Sequence, residues 1–170
     1  DGAAVPTDDE TMGEIIVRGN QVMDRYWNKP ERTREAFSGR VDGWFHTGDF
    51  ATIDDHRMIS IKDRKKDVII SGGENISSVE VEDALYDHPD IERVAVIGVP
   101  HEKWGETPKA LVVPAAGADL TEEGVIEFAR DNLAHFKCPT VVEFVGDLPE
   151  TSTGKIRKVE LRESYGDPVE

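Results

Sequence analysis

Two apolar runs bounded by prolines constrain the fold of this chain more than any other feature of its sequence. They read ERVAVIGVP, at 92–100, and PKALVVP, at 108–114. Short apolar runs with sharp breaker residues at their ends predict β-strands. A third strand is predicted at TVVEFV, 140–145. The second part of the chain is therefore expected to fold around a small sheet of mainly three strands.

Amphipathic segments alternate with these strands. VEVEDALYDH, at 79–88, follows a capping box at 77–80 and ends before Pro89. A second helix is predicted from Thr121 to about Asn132, with acidic residues in its first turn, where the helix dipole favours them. Helices packed on one small sheet define an α+β fold class. The segment ETSTGK, at 150–155, is expected to be flexible, and one or two helical turns follow it.

The first third of the chain has a different pattern, which predicts short antiparallel strands. Strands are predicted at 14–18, in a run that ends near Asp54 and at 58–63, with a helix at 31–37 that Pro30 opens. The turn DDHR, at 54–57, predicts a hairpin, because aspartate favours local backbone hydrogen bonds. The charged stretch KDRKKD, at 62–67, separates the two patterns. We therefore predict two domains, 1–62 and 63–170.

The charge balance and the cysteine count exclude several classes of function. The chain has 35 acidic and 20 basic residues among its 170, a formal net charge of -15. Because such a surface repels polyanions, nucleic acid and anionic membranes are poor partners. A single cysteine, Cys138, excludes an internal disulfide and a multi-cysteine zinc site, and we predict no metal site.

The sequence contains no apolar run near the ~20 residues that a membrane-spanning helix requires. Its first residues, DGAAVPTDDE, have neither the basic nor the apolar region of a signal peptide. We therefore expect a cytoplasmic protein without a membrane span.

Three stretches carry residue types that suit nucleotide chemistry. Asp49 follows a Thr-Gly turn in GWFHTGD, where its carboxylate could accept ribose hydroxyls, although aspartate at such a turn is more often structural. Arg64 lies in a basic cluster that could equally be a solvated linker. Gly72 and Gly73 allow a close backbone approach to a ligand, or simply a tight turn. Lys155, in TSTGK, is either a solvated surface charge or a catalytic cation. TSTGK lacks the first glycine and the spacing of a phosphate-binding loop, so it is not a self-contained nucleotide site.

Six motifs occur together in one order: YWNKPE, GWFHTGD, IKDRKKD, SGGENI, WGE and STGKI. With these motifs in this order, the chain resembles the adenylate-forming enzymes from Gly13 to about Leu161. It is most similar to their acyl-CoA synthetase branch, which includes fatty-acid and aryl-acid CoA ligases. The resemblance favours the catalytic interpretation of Lys155 over the solvated one.

The resemblance implies a role for each motif residue. Asp49 would hold the ribose of ATP, Arg64 would reach the same nucleotide, and Lys66 would be the hinge of a mobile domain. Lys155 would stabilise the adenylation step. The residues implied to line the coenzyme A channel and its entrance are Gly72, Gly73, Trp104, Phe136 and Lys137.

The chain departs from the pattern of these ligases at two places. Basic residues often follow the Phe-Lys pair and can meet the phosphates of coenzyme A, but here Cys138 and Thr140 stand at those places. Lys137 is the substitute candidate for these contacts. The usual Asp-Gly turn before the Asp-Arg strand is replaced by His56 and Arg57, which we interpret as a turn variation.

The resemblance also implies how the chain is organised. Residues 1–62 would be the C-terminal end of a large AMP-binding domain, and 63–170 a small mobile domain with its hinge near Lys66. The whole enzyme would be an acid–thiol ligase that joins a carboxylic acid to coenzyme A, using ATP and Mg²⁺. The family's ATP phosphate loop and most of its acyl pocket lie upstream of GWFHTGD. These residues alone are therefore expected to be inactive, and the N-terminal domain of the same protein is the expected partner.

Three alternatives remain at this point. The chain could belong to an adenylation domain that serves a carrier protein, to a luciferase-like oxidase, or to a non-catalytic interaction module. The GGEN form of the glycine turn and the WGE motif favour coenzyme A over the first two. An upstream sequence without a phosphate loop would favour the third.

Overall fold

The computed structural model describes residues 2–39 and 41–169. The chain divides into two compact units, Asp1–Lys66 and Asp67–Glu170, called here the first and the second unit. The sequence pattern placed the boundary after residue 62, whereas the contacts place it after Lys66. The difference arises because the last strand of the first unit continues to Arg64.

The first unit contains an antiparallel sheet in the order β1-β2-β3. These strands span Gly13–Val17 (β1), Phe45–Ile53 (β2) and Ile59–Arg64 (β3). Helix α1, Pro30–Phe37, begins at its proline, whose fixed φ suits the first helical turn. The predicted strands and helix are therefore confirmed. Ile59 and Ile61 of β3 are both more than half exposed, so an apolar face of this edge strand remains open.

The β2–β3 hairpin turns at the predicted DDHR segment. The Asp54 carboxylate accepts a hydrogen bond from the Met58 N–H at 2.7 Å, and the Asp54 carbonyl accepts one from the Arg57 N–H at 3.0 Å. Arg57 has a φ of +61°. This left-handed conformation brings the Cβ of an L residue too close to the backbone. The turn thus keeps a geometry that favours glycine while it carries an arginine.

Replacing Arg57 by glycine should stabilise the first unit. Glycine removes the Cβ contact of the left-handed backbone but adds freedom to the unfolded chain, so we expect a net gain of about 0.5 kcal/mol in the free energy of unfolding. Glycine at the neighbouring His56, which is not left-handed, should instead lower the free energy of unfolding. Urea unfolding of both variants tests this, and a less stable Arg57→Gly protein would contradict it.

The second unit is built on a five-stranded sheet. Its strands are β4 (Ile69–Ser71), β5 (Glu74–Ile76), β6 (Ile91–His101), β7 (Gly105–Pro114) and β8 (Val141–Phe144). The path runs β5-β4-β7-β6, and β8 pairs with β7 in parallel. The three longer strands are those predicted. The sheet is wider than predicted because GGEN is only partly a turn: after Gly73 the chain forms β5 and pairs back onto β4.

Both faces of this sheet are covered. Helices α2, Ser78–Tyr86, and α3, Glu122–Asn132, pack on one face, over a core that includes Val94, Val96 and Val112. The opposite face buries Ala95, Ile97, Val99 and Leu111 beneath Leu148 and beneath Leu161 of helix α4, Lys158–Tyr165. Side chains of β6 alternate between the two cores because successive residues of a strand point to opposite faces. The α+β class is confirmed.

The helix starts follow the predicted chemistry. The Ser77 hydroxyl accepts a hydrogen bond from the Glu80 N–H at 3.2 Å, and the Thr121 hydroxyl accepts one from the Gly124 N–H at 3.1 Å. Each satisfies a backbone donor that the first turn of a helix leaves unpaired. Of the helices that the structure describes, none is long and apolar enough to cross a membrane.

Candidate functional site

Asp49 and Arg64 lie opposite each other on β2 and β3 of the first unit. The Arg64 Nε lies 2.9 Å from the Asp49 Oδ1. Thr47 and Gly48, predicted from the sequence to form a turn, lie within β2, where the Thr47 hydroxyl donates to the Ile15 carbonyl at 2.8 Å and accepts from the Asp49 N–H at 3.1 Å. Gly48 has a φ of +73°, which requires glycine or strain. The two residues that the sequence predicted for nucleotide binding are thus neighbours.

A charged cluster that sequence reasoning missed lies in the same sheet. The Glu14 Oε2 is 2.9 Å from the His46 Nδ1 and 2.8 Å from the Lys65 Nζ. The His46 and Glu14 side chains are mostly buried, and the His46 Nε2 has no hydrogen-bond partner among the described residues. It packs against Gly39, where an added Cβ would lie only 2.0 Å away. Glu14 and Lys65 are far apart in the sequence, so no single motif contains the cluster. The only signals were the strand predicted at 14–18 and the GWFHTGD motif, which contain Glu14 and His46.

The pKa of Glu14 reports the balance of forces in this cluster. Burial acts to raise the pKa, but hydrogen bonds from Lys65 and His46 and the charges of both outweigh burial and leave the pKa below its ordinary 4.5. The ionised carboxylate is therefore the form that stabilises the folded state. A group whose pKa is lowered by folding contributes stability above its unfolded pKa and loses it as the pH falls.

Glu14→Gln should change how the first unit responds to acid. At neutral pH the variant loses charge-assisted hydrogen bonds and should be less stable by about 1–3 kcal/mol. The stabilisation by the ionised carboxylate is lost as the pH falls from the ordinary pKa of 4.5 through the lower pKa of the folded protein, so the difference between the two proteins should shrink over this range. Chemical unfolding from pH 7 to pH 3 measures this difference. Glu35→Gln, at an exposed position of α1, serves as the control and should show little change at any pH.

The glycine turn of the second unit lies beneath Trp104. The Gly72 N–H donates to the Trp104 carbonyl at 2.9 Å. Gly72 and Gly73 have φ of +59° and +94°, and a Cβ at Gly72 would lie 3.2 Å from the indole ring. The ring remains 43% exposed, with the Lys103 Nζ 4.3 Å from its centroid. Two stretches predicted to border coenzyme A are therefore in contact.

Phe136 and Lys137 lie on a short 3₁₀ helix, His135–Lys137. The Phe136 ring is half exposed, whereas the Lys137 Nζ is bound to the Glu80 Oε1 at 2.5 Å. Cys138 and Thr140, which stand where the resemblance implies basic residues, have contacts within the second unit. Cys138 lies in the α2–α3 core, where burial raises the pKa of its thiol, and the Thr140 hydroxyl lies 2.9 Å from that of Thr107. Neither supplies a positive charge for a phosphate.

Lys155 ends a hydrogen-bonded turn, and the flexibility predicted for this segment stays a prediction. The Thr151 N–H donates to the Lys155 carbonyl at 2.8 Å, and the Lys155 N–H donates to the Thr151 hydroxyl at 3.1 Å. Gly154 adopts a φ of +79° and donates to the Thr151 carbonyl at 2.9 Å. Within the described part of the chain, the Lys155 ammonium has no hydrogen-bond or ion-pair partner. The turn is thus closed by backbone hydrogen bonds while Lys155 is exposed.

Ion pairs lie on both sides of Lys66, the predicted hinge. On the first-unit side, Lys65 is held by Glu14 and its N–H donates to the Gly48 carbonyl at 2.8 Å. On the second-unit side, the Asp67 carboxylate pairs with the guanidinium of Arg162 on α4. Each unit thus holds the residue next to the boundary. The hinge role of Lys66 stays a prediction.

Comparison with known proteins identifies the second unit. Residues 80–155 match the family described as the AMP-binding enzyme C-terminal domain. With this match and the relatives below, the chain resembles the C-terminal part of the adenylate-forming enzymes. The matched segment contains Trp104, Phe136, Lys137 and Lys155. The resemblance inferred from the order of the motifs is thereby confirmed.

The chain is similar along nearly its whole length to CoA ligases. It is 49% identical to a probable CoA ligase of Humulus lupulus, over 95% of this chain and 29% of that protein. It is 47% identical to a peroxisomal butyrate–CoA ligase of Arabidopsis thaliana, over 94% of this chain and 28% of that protein. The chain thus spans less than a third of the length of these relatives.

Solved structures give the same picture. ATP-bound MatB from Rhodopseudomonas palustris matches with a TM-score of 0.80 and 40% identity, over 94% of this chain and 31% of that one. The amide bond synthetase McbA from Marinactinospora thermotolerans matches with a TM-score of 0.78 and 39% identity, over 97% of this chain and 33% of that one.

Proposed function

We propose that this chain is the C-terminal part of an ATP-dependent ligase that joins a carboxylic acid to coenzyme A through an acyl adenylate. The observation that carries the proposal is that the similarity to CoA ligases runs through both units rather than through the 80–155 segment alone. The contact of Asp49 with Arg64 and that of Gly72 with Trp104 support it, because each joins residues that one half-reaction needs.

In the first half-reaction, a carboxylate oxygen of the acid attacks the α-phosphorus of ATP, and the bond to pyrophosphate breaks. The Asp49 carboxylate accepts hydrogen bonds from the ribose hydroxyls and so positions the nucleotide. Arg64, which is paired with Asp49, reaches the same nucleotide. Negative charge gathers on the phosphate oxygens in the transition state, and the Lys155 ammonium offsets it. Charge stabilisation by a pre-positioned group is commonly the largest contribution to catalysis of this kind.

In the second half-reaction, the sulfur of coenzyme A attacks the acyl carbon and AMP leaves with the bonding electrons. Gly72 and Gly73 present backbone without side chains beside the indole of Trp104, and the pantetheine chain is proposed to lie against this backbone. Phe136 and Lys137 border its entrance. Since Lys137 already pairs with Glu80, it must exchange this partner to meet a phosphate of coenzyme A.

Mg²⁺ is proposed to accompany the phosphates of ATP, where it neutralises charge on the leaving group. Among the described residues, no group of three or more His, Cys, Asp or Glu side chains could hold a metal ion. We therefore assign no residue of this chain as a Mg²⁺ ligand.

The two half-reactions require different surroundings for one acyl group, so the second unit is proposed to turn about Lys66 between them. The division of the chain after Lys66 supports this position for the hinge. The Lys155 turn serves adenylation, and the turn formed by Gly72 and Gly73 serves thioester formation. The N-terminal domain of the same protein is the proposed partner, and the location is proposed to be cytoplasmic.

Two candidate functions, a CoA ligase and an amide-forming enzyme, differ in the acceptor of the acyl group. The structural similarity to an amide bond synthetase favours one alternative, in which an amine takes the place of coenzyme A. The whole protein, supplied with ATP, Mg²⁺ and a panel of carboxylic acids, should release AMP and form a thioester with coenzyme A. Product formed only with amines would replace the first proposal by the second, and no pyrophosphate release with any acid would refute both.

Lys155→Ala in the whole protein should slow adenylation by ~100- to 1000-fold, the usual effect of removing one charge-stabilising group. Thioester formation from a supplied acyl adenylate should stay within about twofold, since surface substitutions without a role rarely exceed ~0.5 kcal/mol. Single-turnover measurements of each half-reaction check the asymmetry. A folding defect would lower both rates, and normal adenylation would remove Lys155 from the mechanism.

A further inference from the structure

Arg93, on β6, holds the base of the Lys155 turn. Its Nη1 lies 2.6 Å from the Asp147 Oδ1, and its Nη2 pairs with the Glu150 carboxylate. Arg93 is only 26% exposed, although both of its partners are more open to solvent. One guanidinium thus bridges two carboxylates on either side of 148–149. No motif in the sequence connects Arg93 with this turn.

The segment between these carboxylates is the foot of the turn. Leu148 is 2% exposed and packs in the core that contains Ala95 and Ile97 of β6. The Pro149 carbonyl accepts a hydrogen bond from the Arg157 N–H at 2.8 Å. Because Arg93 precedes Ala95 by two residues, its Cβ is on the same face of β6 as that core. The ion pairs of Arg93 with Asp147 and Glu150, called here the clamp, therefore lie beside the apolar contacts of Leu148, on the same face of β6.

The clamp also holds the Glu150 carboxylate, a negative charge in the same turn as Lys155. Glu150 forms a β-bridge with Ile156, the residue that follows Lys155. The Thr151 N–H, one residue after Glu150, donates to the Lys155 carbonyl at 2.8 Å, so Glu150 and Lys155 belong to facing segments of the same turn. A Glu150 carboxylate released from Arg93 would be a competing partner for the Lys155 ammonium. An ammonium paired in this way would be less available to the phosphates of ATP.

We propose that Arg93 is a positioning residue for Lys155: it fixes the foot of the turn on the sheet and keeps the Glu150 carboxylate engaged. The proposal rests on the adenylation role proposed above for Lys155. The side-chain ion pairs of Arg93 are to Asp147 and Glu150 at the foot of the turn, so its proposed effect on the reaction passes through Lys155. Arginine is suited to this task because its planar fork binds two acceptors in a fixed geometry, which a lysine ammonium does not reproduce.

Amide hydrogen exchange in the whole protein tests the structural half of the proposal without any activity measurement. Arg93→Met should speed exchange of the Thr151, Gly154 and Lys155 amides, which close the turn, by at least about tenfold. Arg34→Met is the matched control, because Arg34 also forms two hydrogen bonds to a carboxylate, that of Glu31 on α1. It should leave the turn unchanged. Equal exchange in the wild type and Arg93→Met would overturn the proposal.

A double-mutant cycle tests the functional half. Arg93→Met should slow adenylation by roughly 10- to 100-fold, since a misplacement of about 1 Å has effects of this size. Thioester formation from a supplied acyl adenylate should remain within about twofold of the wild type. With Lys155 already replaced by alanine, the further change Arg93→Met should have almost no effect on adenylation. A full additional loss in that background would mean that Arg93 acts independently of Lys155 and would overturn the proposal.

Two further variants keep the test decisive if Arg93→Met folds poorly. Arg93→Lys retains the charge but not the fork, and should fall between the wild type and Arg93→Met in both the exchange and the adenylation rates. Glu150→Gln removes one arm of the clamp together with the competing carboxylate, so it should loosen the turn yet slow adenylation less than Arg93→Met does. If Lys155→Ala adenylates normally, the proposed function of Lys155 fails. If only the Arg93 variants behave as wild type, the positioning role alone fails.

Discussion

The antiparallel pairing of β6 with β7 is the interaction on which the rest of the second unit depends. Its residues are buried alternately on two faces, so the hairpin is stable only when both faces are covered. α2 and α3 cover one face, and α4 with Leu148 covers the other. The candidate functional residues attach to this arrangement at its margins. Trp104 lies in the turn of the hairpin, and Arg93 lies near its open end.

Ion pairs with defined partners, rather than general surface charge, position the candidate sites. Asp49 binds Arg64, Glu14 is shared by His46 and Lys65, and Arg93 bridges two carboxylates. Acidic residues outnumber basic ones by 35 to 20, so carboxylates are plentiful partners for any lysine. The Lys155 ammonium pairs with no described residue, and its proposed partner is an anionic substrate.

The residues of the candidate site could be predicted from the sequence, but the contacts among them could not. Order and spacing of the motifs pointed to Asp49, Arg64, Gly72, Trp104 and Lys155, and the glycines and turn residues supplied local reasons. Which of them touch could not be predicted, because the register of β2 against β3 depends on an irregularity between Phe50 and Ala51. Glu14, His46 and Arg93 were missed because their partners lie far away along the chain.

The sequence by itself determined the elements whose causes are local: strands set by apolar runs between prolines, helices set by the caps Ser77 and Thr121, and a glycine turn at Gly72 and Gly73. It also predicted the family, through the order of its motifs. Tertiary structure alone decided the core position of Cys138, the two carboxylates that Arg93 holds and the sharing of Glu14 by His46 and Lys65. Local preferences act through neighbouring residues, whereas these features depend on contacts that exist only once distant segments pack together.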